Sequence, residues 1–404
     1  MSWLLANGRA PGHPGLVDLL LTDGKLTVLQ AGMGPMTDRR LWDLKGRVVL
    51  PGLIELHAHL DKTYTPSNNP SGTLRGAIES FSEVAGIRSS ASIEANAERA
   101  IRSAIVHGVT RMRSHLTFGR EADLALLEIM QGLKQRYRRQ IELQYVALGT
   151  FTGSTADQAL LSRGLRGGID LLGGAPALFA DPLANINATL DAAQLHEAGV
   201  DLHIDETEQP DSRTLQLLIE AVQARGLEGR VAASHCCSLA FMKPDERDRL
   251  LDGAASADIA LIALPACNLV LMGRDHWPVP RGSAPIRNAL AAGVTVGVGS
   301  DNVQDPFNPF GSYDPLQSVQ LAALVGHMTA DGELESALDL VTTFAARIFG
   351  GGPAIMESGA PADLVVLDAY ELRSVAANPP PRVATFKRGE LVVQTRVEQV
   401  WASC

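Results

Sequence analysis

Between residues 50 and 350, short apolar runs at 141–147, 169–172, 200–204, 231–234, 260–263 and 294–297 alternate with amphipathic stretches at 120–140, 184–198, 212–225 and 283–292. A brief apolar run followed by a stretch with one apolar face is the pattern of a parallel strand returning through an external helix. The chain is therefore expected to be α/β, with a parallel sheet covered by helices. Periodicity does not decide between an open sheet and a closed barrel; the polar residues at the strand ends do.

Four separate strands end in residues suited to chemistry. The run Val48-Val49-Leu50-Pro51-Gly52-Leu53-Ile54-Glu55-Leu56 leads into His57-Ala58-His59. Residues i and i+2 of a strand point to one side, so both imidazoles can meet one ion. Val200-Asp201-Leu202 leads into His203, with Glu206 three residues on, and Val231-Ala232-Ala233-Ser234 leads into His235. Val294-Thr295-Val296-Gly297-Val298-Gly299-Ser300 leads into Asp301. Each alone is compatible with an ordinary solvated strand end. Together they place a histidine pair, two further histidines and an aspartate at C-terminal strand ends, which share one face in a (β/α)8 barrel. Histidine is the commonest ligand of borderline metals. His57, His59, His203 and His235 are thus placed as a catalytic centre needs them, with Asp301 beside them. His115 ends another strand, at 111–115, and could support them. His107, His196 and His327 lie in helical stretches, and His13 and His276 in loops.

The two ends of the chain have a different character. Residues 17–21, 26–30 and 47–50 are strand-like, with Asp23-Gly24 as a turn. Residues 362–367, 383–386 and 391–394 are similar, with Lys387-Arg388-Gly389-Glu390 as a turn. The expected organisation is a discontinuous β-sandwich domain from residues 1–50 and 355–404, flanking a catalytic barrel at 51–354.

A formal net charge of −10 argues against a nucleic-acid surface. No apolar run approaches the roughly 20 residues that a membrane helix needs. The N-terminus, Met1-Ser-Trp-Leu-Leu-Ala-Asn-Gly, shows no basic region followed by an apolar core, so no signal peptide is expected. The cysteines, at 236, 237, 267 and 404, form no CxxC pair and suit a reducing compartment. A cytoplasmic enzyme acting on a small molecule is expected, with neither nucleic acid nor membrane as partner.

At these residues the sequence resembles the amidohydrolase superfamily and, within it, the cytosine deaminase branch. The segments that carry the resemblance are Pro51-Gly-Leu-Ile-Glu-Leu-His-Ala-His-Leu-Asp-Lys62, Ser71-Gly-Thr-Leu-Arg-Gly-Ala-Ile-Glu79, His203-Ile-Asp-Glu206, Ser234-His235 and Gly299-Ser-Asp-Asn-Val-Gln-Asp-Pro-Phe-Asn-Pro-Phe-Gly311. The resemblance implies a distorted (β/α)8 (TIM) barrel with a small β-sandwich from both termini. It implies one metal, Zn2+ or Fe2+, held by His57, His59, His203 and Asp301, with Glu206 shuttling protons and His235 orienting water or substrate. A homo-oligomer is also expected from it. Members with two metals use a lysine carbamate or a carboxylate from the fourth strand. Here the only lysines between His59 and His203 are Lys62, in the loop after the first strand, and Lys134, in a helical stretch, which favours one metal.

The sequence departs from the cytosine deaminase pattern at three candidate substrate-binding positions. Thr150 stands where a glutamine reads the pyrimidine amide, Asn302 where a second aspartate follows the ligand, and Phe307 where a tryptophan is found. The last two changes suggest a less charged, roomier pocket that admits a substituent at C5. The expected activity is hydrolytic deamination of cytosine, 5-methylcytosine or both. The alternatives are another amino-heterocycle (an aminotriazine or isoguanine), ring-opening of a cyclic amide, or an inactive scaffold that keeps the barrel and the metal.

Overall fold

The computed structural model describes residues 2–33, 39–66, 68–398 and 400–402. Near the N-terminus, strands β1 (Trp3–Arg9), β2 (Leu16–Thr22), β3 (Lys25–Gln30) and β4 (Arg40–Asp43) form one sheet in the order β3-β2-β1-β4. Asp23 and Gly24 sit at φ of 51° and 75° between paired residues Thr22 and Lys25. Two left-handed residues match the twist of a tight hairpin, and Gly24 adopts that conformation without a Cβ penalty.

A second four-stranded sheet combines β5 (Val49–Pro51) with three strands from the far end of the chain, β14 (Leu364–Leu367), β15 (Arg382–Lys387) and β16 (Glu390–Gln394). The two sheets enclose a separate core that includes Leu5, Leu19, Leu21, Leu26, Val49, Leu364, Val366 and Phe386. This is the β-sandwich built from both termini.

The central sheet has eight parallel strands: β6 (Leu53–Ala58), β7 (Val109–Thr117), β8 (Glu142–Leu148), β9 (Leu171–Gly173), β10 (Gly199–Ile204), β11 (Val231–His235), β12 (Ala260–Ala263) and β13 (Val296–Val298). Each pairs with its sequence neighbour, and a parallel bridge between Ala58 and Asp301 brings the last strand back to the first. The result is a distorted, nearly closed TIM barrel. Helices cover its outside because their apolar residues recur at helical spacing. The helix Thr214–Arg225 buries Leu215, Leu218, Ile219 and Val222, and ends at Gly226 with a left-handed cap. The barrel and sandwich are joined by Arg382, which donates to the His107 carbonyl and pairs with Asp314, and by Thr385, which donates to the Ile105 carbonyl.

Among the described residues no helix is long and apolar enough to cross a membrane. Cys236, Cys237 and Cys267 are free and buried, and Cys404 lies outside the described residues. A cavity of about 840 Å³ opens at the N-terminal ends of the barrel strands, lined in part by Arg113, Gln144, Arg230, Asp258 and Arg347. None of the candidate metal ligands lines it, so the chemistry lies at the other end.

Candidate metal centre

Glu55, His57 and His59 alternate along β6 and the residue just after it, so their side chains leave one face of the strand. His203 lies in β10, Ser234 and His235 close β11, and Asp301 follows β13. At the C-terminal end of the barrel these residues converge. His57 Nε2 lies 3.3 Å from His59 Nε2, which lies 3.4 Å from His203 Nε2. Asp301 Oδ1 is 3.2 Å from His59 Nε2 and 3.6 Å from His57 Nε2. All four side chains are buried.

The electrostatics suit a cation. Burial, together with neighbouring imidazoles, holds His57 and His203 well below the ordinary histidine range. Burial and the Lys62 charge also lower His59. These rings are therefore neutral and can offer lone pairs. Burial alone would raise Asp301, but His59, His235 and Cys267 beside it bring its carboxyl down to about 2. Neither Asp301 oxygen has a hydrogen-bond partner among the described residues. Three imidazole nitrogens and an ionised carboxylate form a set that fits one divalent ion such as Zn2+ or Fe2+.

His115 is closer to this centre than its place in the sequence alone required. Its ring stacks on His57 with centroids 3.9 Å apart, and the ligand atoms of His57, His115 and His203 lie within 4.8 Å of one another. The candidate proton-handling groups stand beside the same centre. His235 Nδ1 is 3.6 Å from Glu206 Oε1 and 4.0 Å from Asp301 Oδ2. Burial, then the charge of Asp301, raises the Glu206 carboxyl well above 4.5. Burial pushes His235 down to about 4, against the pull of Asp301. The backbones of His235 and Asp301 are left-handed, with φ of 70° and 61°. Such conformations cost about 1–3 kcal/mol for a non-glycine residue and are concentrated at functional sites.

The three candidate substrate residues are placed differently from one another. Asn302 is buried and donates to Asp305 Oδ2 at 2.6 Å, so its amide is already engaged. Phe307 is part-buried against the apolar group of Cys237, Cys267, Leu271 and Met272, with its ring 6.4 Å from that of Phe81. Thr150 is exposed just beyond β8, beside Gly119, outside the buried cluster.

Several residues that the sequence did not single out complete the centre. Glu55 accepts from the backbone of His57 and from both the backbone and hydroxyl of Ser300. Asn268 Nδ2 lies 3.1 Å from His235 Nδ1, and Asp201 accepts from Ser234 and Arg113. Glu55 and Asp201 each precede a candidate ligand histidine by two positions, and that strand alternation was the available signal. Asn268, in a helix after β12, gave none.

A family model for the amidohydrolases matches residues 65–401. The chain belongs to the amidohydrolase family. It is 32% identical over 394 residues to a pterin deaminase of Rhizobium rhizogenes, covering 95% of this chain and 89% of the relative. Among solved structures, 5-methylcytosine deaminase from Klebsiella pneumoniae liganded with 5-fluorocytosine superposes with a TM-score of 0.92 at 28% identity, covering 100% of this chain and 99% of that one. N-isopropylammelide isopropylaminohydrolase from Burkholderia multivorans gives 0.86 at 29% identity, over 98% of each chain. This amidohydrolase is a hydrolase of C–N bonds, and its donor set together with its family implies a divalent metal.

Proposed function

We propose that the protein is a hydrolytic deaminase of a planar amino-heterocycle in which the amino group sits on a carbon next to a ring nitrogen. Cytosine and 5-methylcytosine are the first candidates. The observation that carries the reading is His235 standing between two carboxyl groups, 3.6 Å from Glu206 and 4.0 Å from Asp301, with the Glu206 carboxyl pushed up by burial and that of Asp301 drawn down by its neighbours. A purely structural metal site needs no such pair of oppositely shifted carboxyl groups.

His57, His59, His203 and Asp301 would hold the metal, which when bound acidifies a water molecule at neutral pH. Asp301 accepts one proton of the attacking water as its oxygen bonds to the amidine carbon. Glu206 gives its proton to the adjacent ring nitrogen. His235 hydrogen-bonds the attacking oxygen and holds it in place. The proton on Asp301 then passes to the exocyclic nitrogen, the C–N bond breaks, and ammonia leaves. Glu206 recovers a proton from the new hydroxyl as the carbonyl forms, so both carboxyl groups return to their starting states.

A pterin is the second reading, favoured by the 32% identity to the pterin deaminase. Ammonia release from cytosine, 5-methylcytosine, isoguanine, pterin and an aminotriazine, with zinc- and iron-loaded protein, tests both. Release from a pyrimidine supports the first reading, and release from pterin alone supports the second. Silence on every amino-heterocycle by metal-loaded protein would overturn both and turn attention to ring-opening of cyclic amides.

A further inference from the structure

A chain of buried polar groups runs from the ligand His57 into the barrel interior, where no reacting atom lies. His57 Nδ1 is 3.0 Å from Ser234 Oγ, and Ser234 Oγ donates to Asp201 Oδ1 at 2.7 Å. Asp201 Oδ2 accepts from Arg113 Nη1 at 2.8 Å. Arg113 is itself fixed by Gln144 Oε1 at 3.2 Å and the Ile348 carbonyl at 2.8 Å. Asp201, Ser234, Arg113 and His57 are all buried, and they come from four different strands, β10, β11, β7 and β6.

The directions of these hydrogen bonds are settled by counting protons. A carboxylate paired with a guanidinium can only accept. Ser234 has one hydroxyl proton, and it goes to Asp201. The serine oxygen is then left as an acceptor toward His57, so His57 must carry its proton on Nδ1. Its Nε2 lone pair consequently faces His59, His203 and Asp301. This is the tautomer that a metal on Nε2 requires.

We propose that Ser234 and Asp201 are positioning residues that lock His57 in its Nε2-ligating tautomer and so set the affinity for metal, with Arg113 anchoring Asp201. The proposal rests on His57 being a metal ligand. Ser234 is the informative position, because changing it leaves the Asp201–Arg113 pair in place.

The test is zinc affinity of the full-length protein, measured by competition with a fluorescent chelator, beside melting of the metal-free form. Ser234→Ala should weaken zinc binding by about 10- to 100-fold, as is typical when a metal ligand loses its orienting partner. Ser234→Thr, which keeps the hydroxyl, should restore most of the affinity, and melting of the metal-free proteins should change little. Equal zinc affinity in wild type and Ser234→Ala would overturn the proposal. Failure of the wild type itself to bind zinc would overturn the metal centre instead, which keeps the two claims apart. Nitrogen-15 shifts of His57 in metal-free wild type give a check that needs no variant. A proton on Nδ1 supports the relay, and a proton on Nε2 overturns it.

Discussion

The backbone N–H of Asp301 donates to the carbonyl of His57 at 2.8 Å, fastening the end of β13 to the end of β6 through two candidate metal ligands. The Ala58–Asp301 bridge lies beside it, and Glu55 reaches across the same seam to Ser300. Closing the barrel and assembling the donor set are thus one structural event. What disturbs the seam should disturb the metal.

Gly299 lies on that seam without room for a side chain. A Cβ there would fall 2.8 Å from the Cβ of His57 and 2.9 Å from its backbone nitrogen. Backbone cannot move aside cheaply in a packed interior, so Gly299→Ala should cost about 1–3 kcal/mol. The expected outcome is a lower melting temperature together with reduced metal content, read by elemental analysis of the purified variant. Unchanged melting with a full metal load would contradict the seam's role.

Glu206 is assigned to proton transfer rather than to holding the metal. Glu206→Gln keeps the shape of the side chain but removes its exchangeable acid proton. Metal content should stay at the wild-type level while ammonia release falls by at least about 100-fold. Loss of metal in this variant would point to a structural role.

The pH profile follows from the same residue. Burial and the Asp301 charge raise the Glu206 carboxyl above 4.5, and the protonated form is the one that donates. Activity that depends on it is present below the raised value and lost as pH rises through it. The kcat profile should therefore show an alkaline limb. A rate that only switches on as pH rises past the ordinary carboxylate range would contradict the assignment.

A control lies far from the metal. Lys387 is 2% exposed and donates to Asp363 at 2.7 Å in the sandwich. Lys387→Met leaves Asp363 buried beside a side chain that cannot pair with it, which typically costs about 3–5 kcal/mol. Melting should drop by several degrees, while metal content and turnover of the folded fraction remain. A selective loss of metal would mean that the two parts are coupled more tightly than their contacts indicate.

How far the sequence could be read is clear from particular residues. The convergence of His57, His59, His203 and Asp301 was legible because strand alternation and strand termini are local patterns, and the barrel brings the four to one end. The hairpin at Asp23-Gly24 was legible for the same reason. His235 follows Ser234 directly, so alternation would put them on opposite faces. A left-handed His235 turns both toward the centre, and no residue type announced it. Glu55, Asp201 and Asn268 act through partners 33 to 245 positions away, which depends on tertiary closure. The candidate substrate positions rest on no such local pattern. Asn302 spends its amide on Asp305, three residues on, and Thr150 is exposed.

The most direct test of the account is ammonia release by the full-length protein after its metal is stripped by chelation and then restored, with metal content measured at each stage. We expect one divalent metal per chain, no release without it, and recovery of release from cytosine, 5-methylcytosine or pterin in proportion to metal restored. Release at the full rate from metal-free protein would contradict the account at its centre.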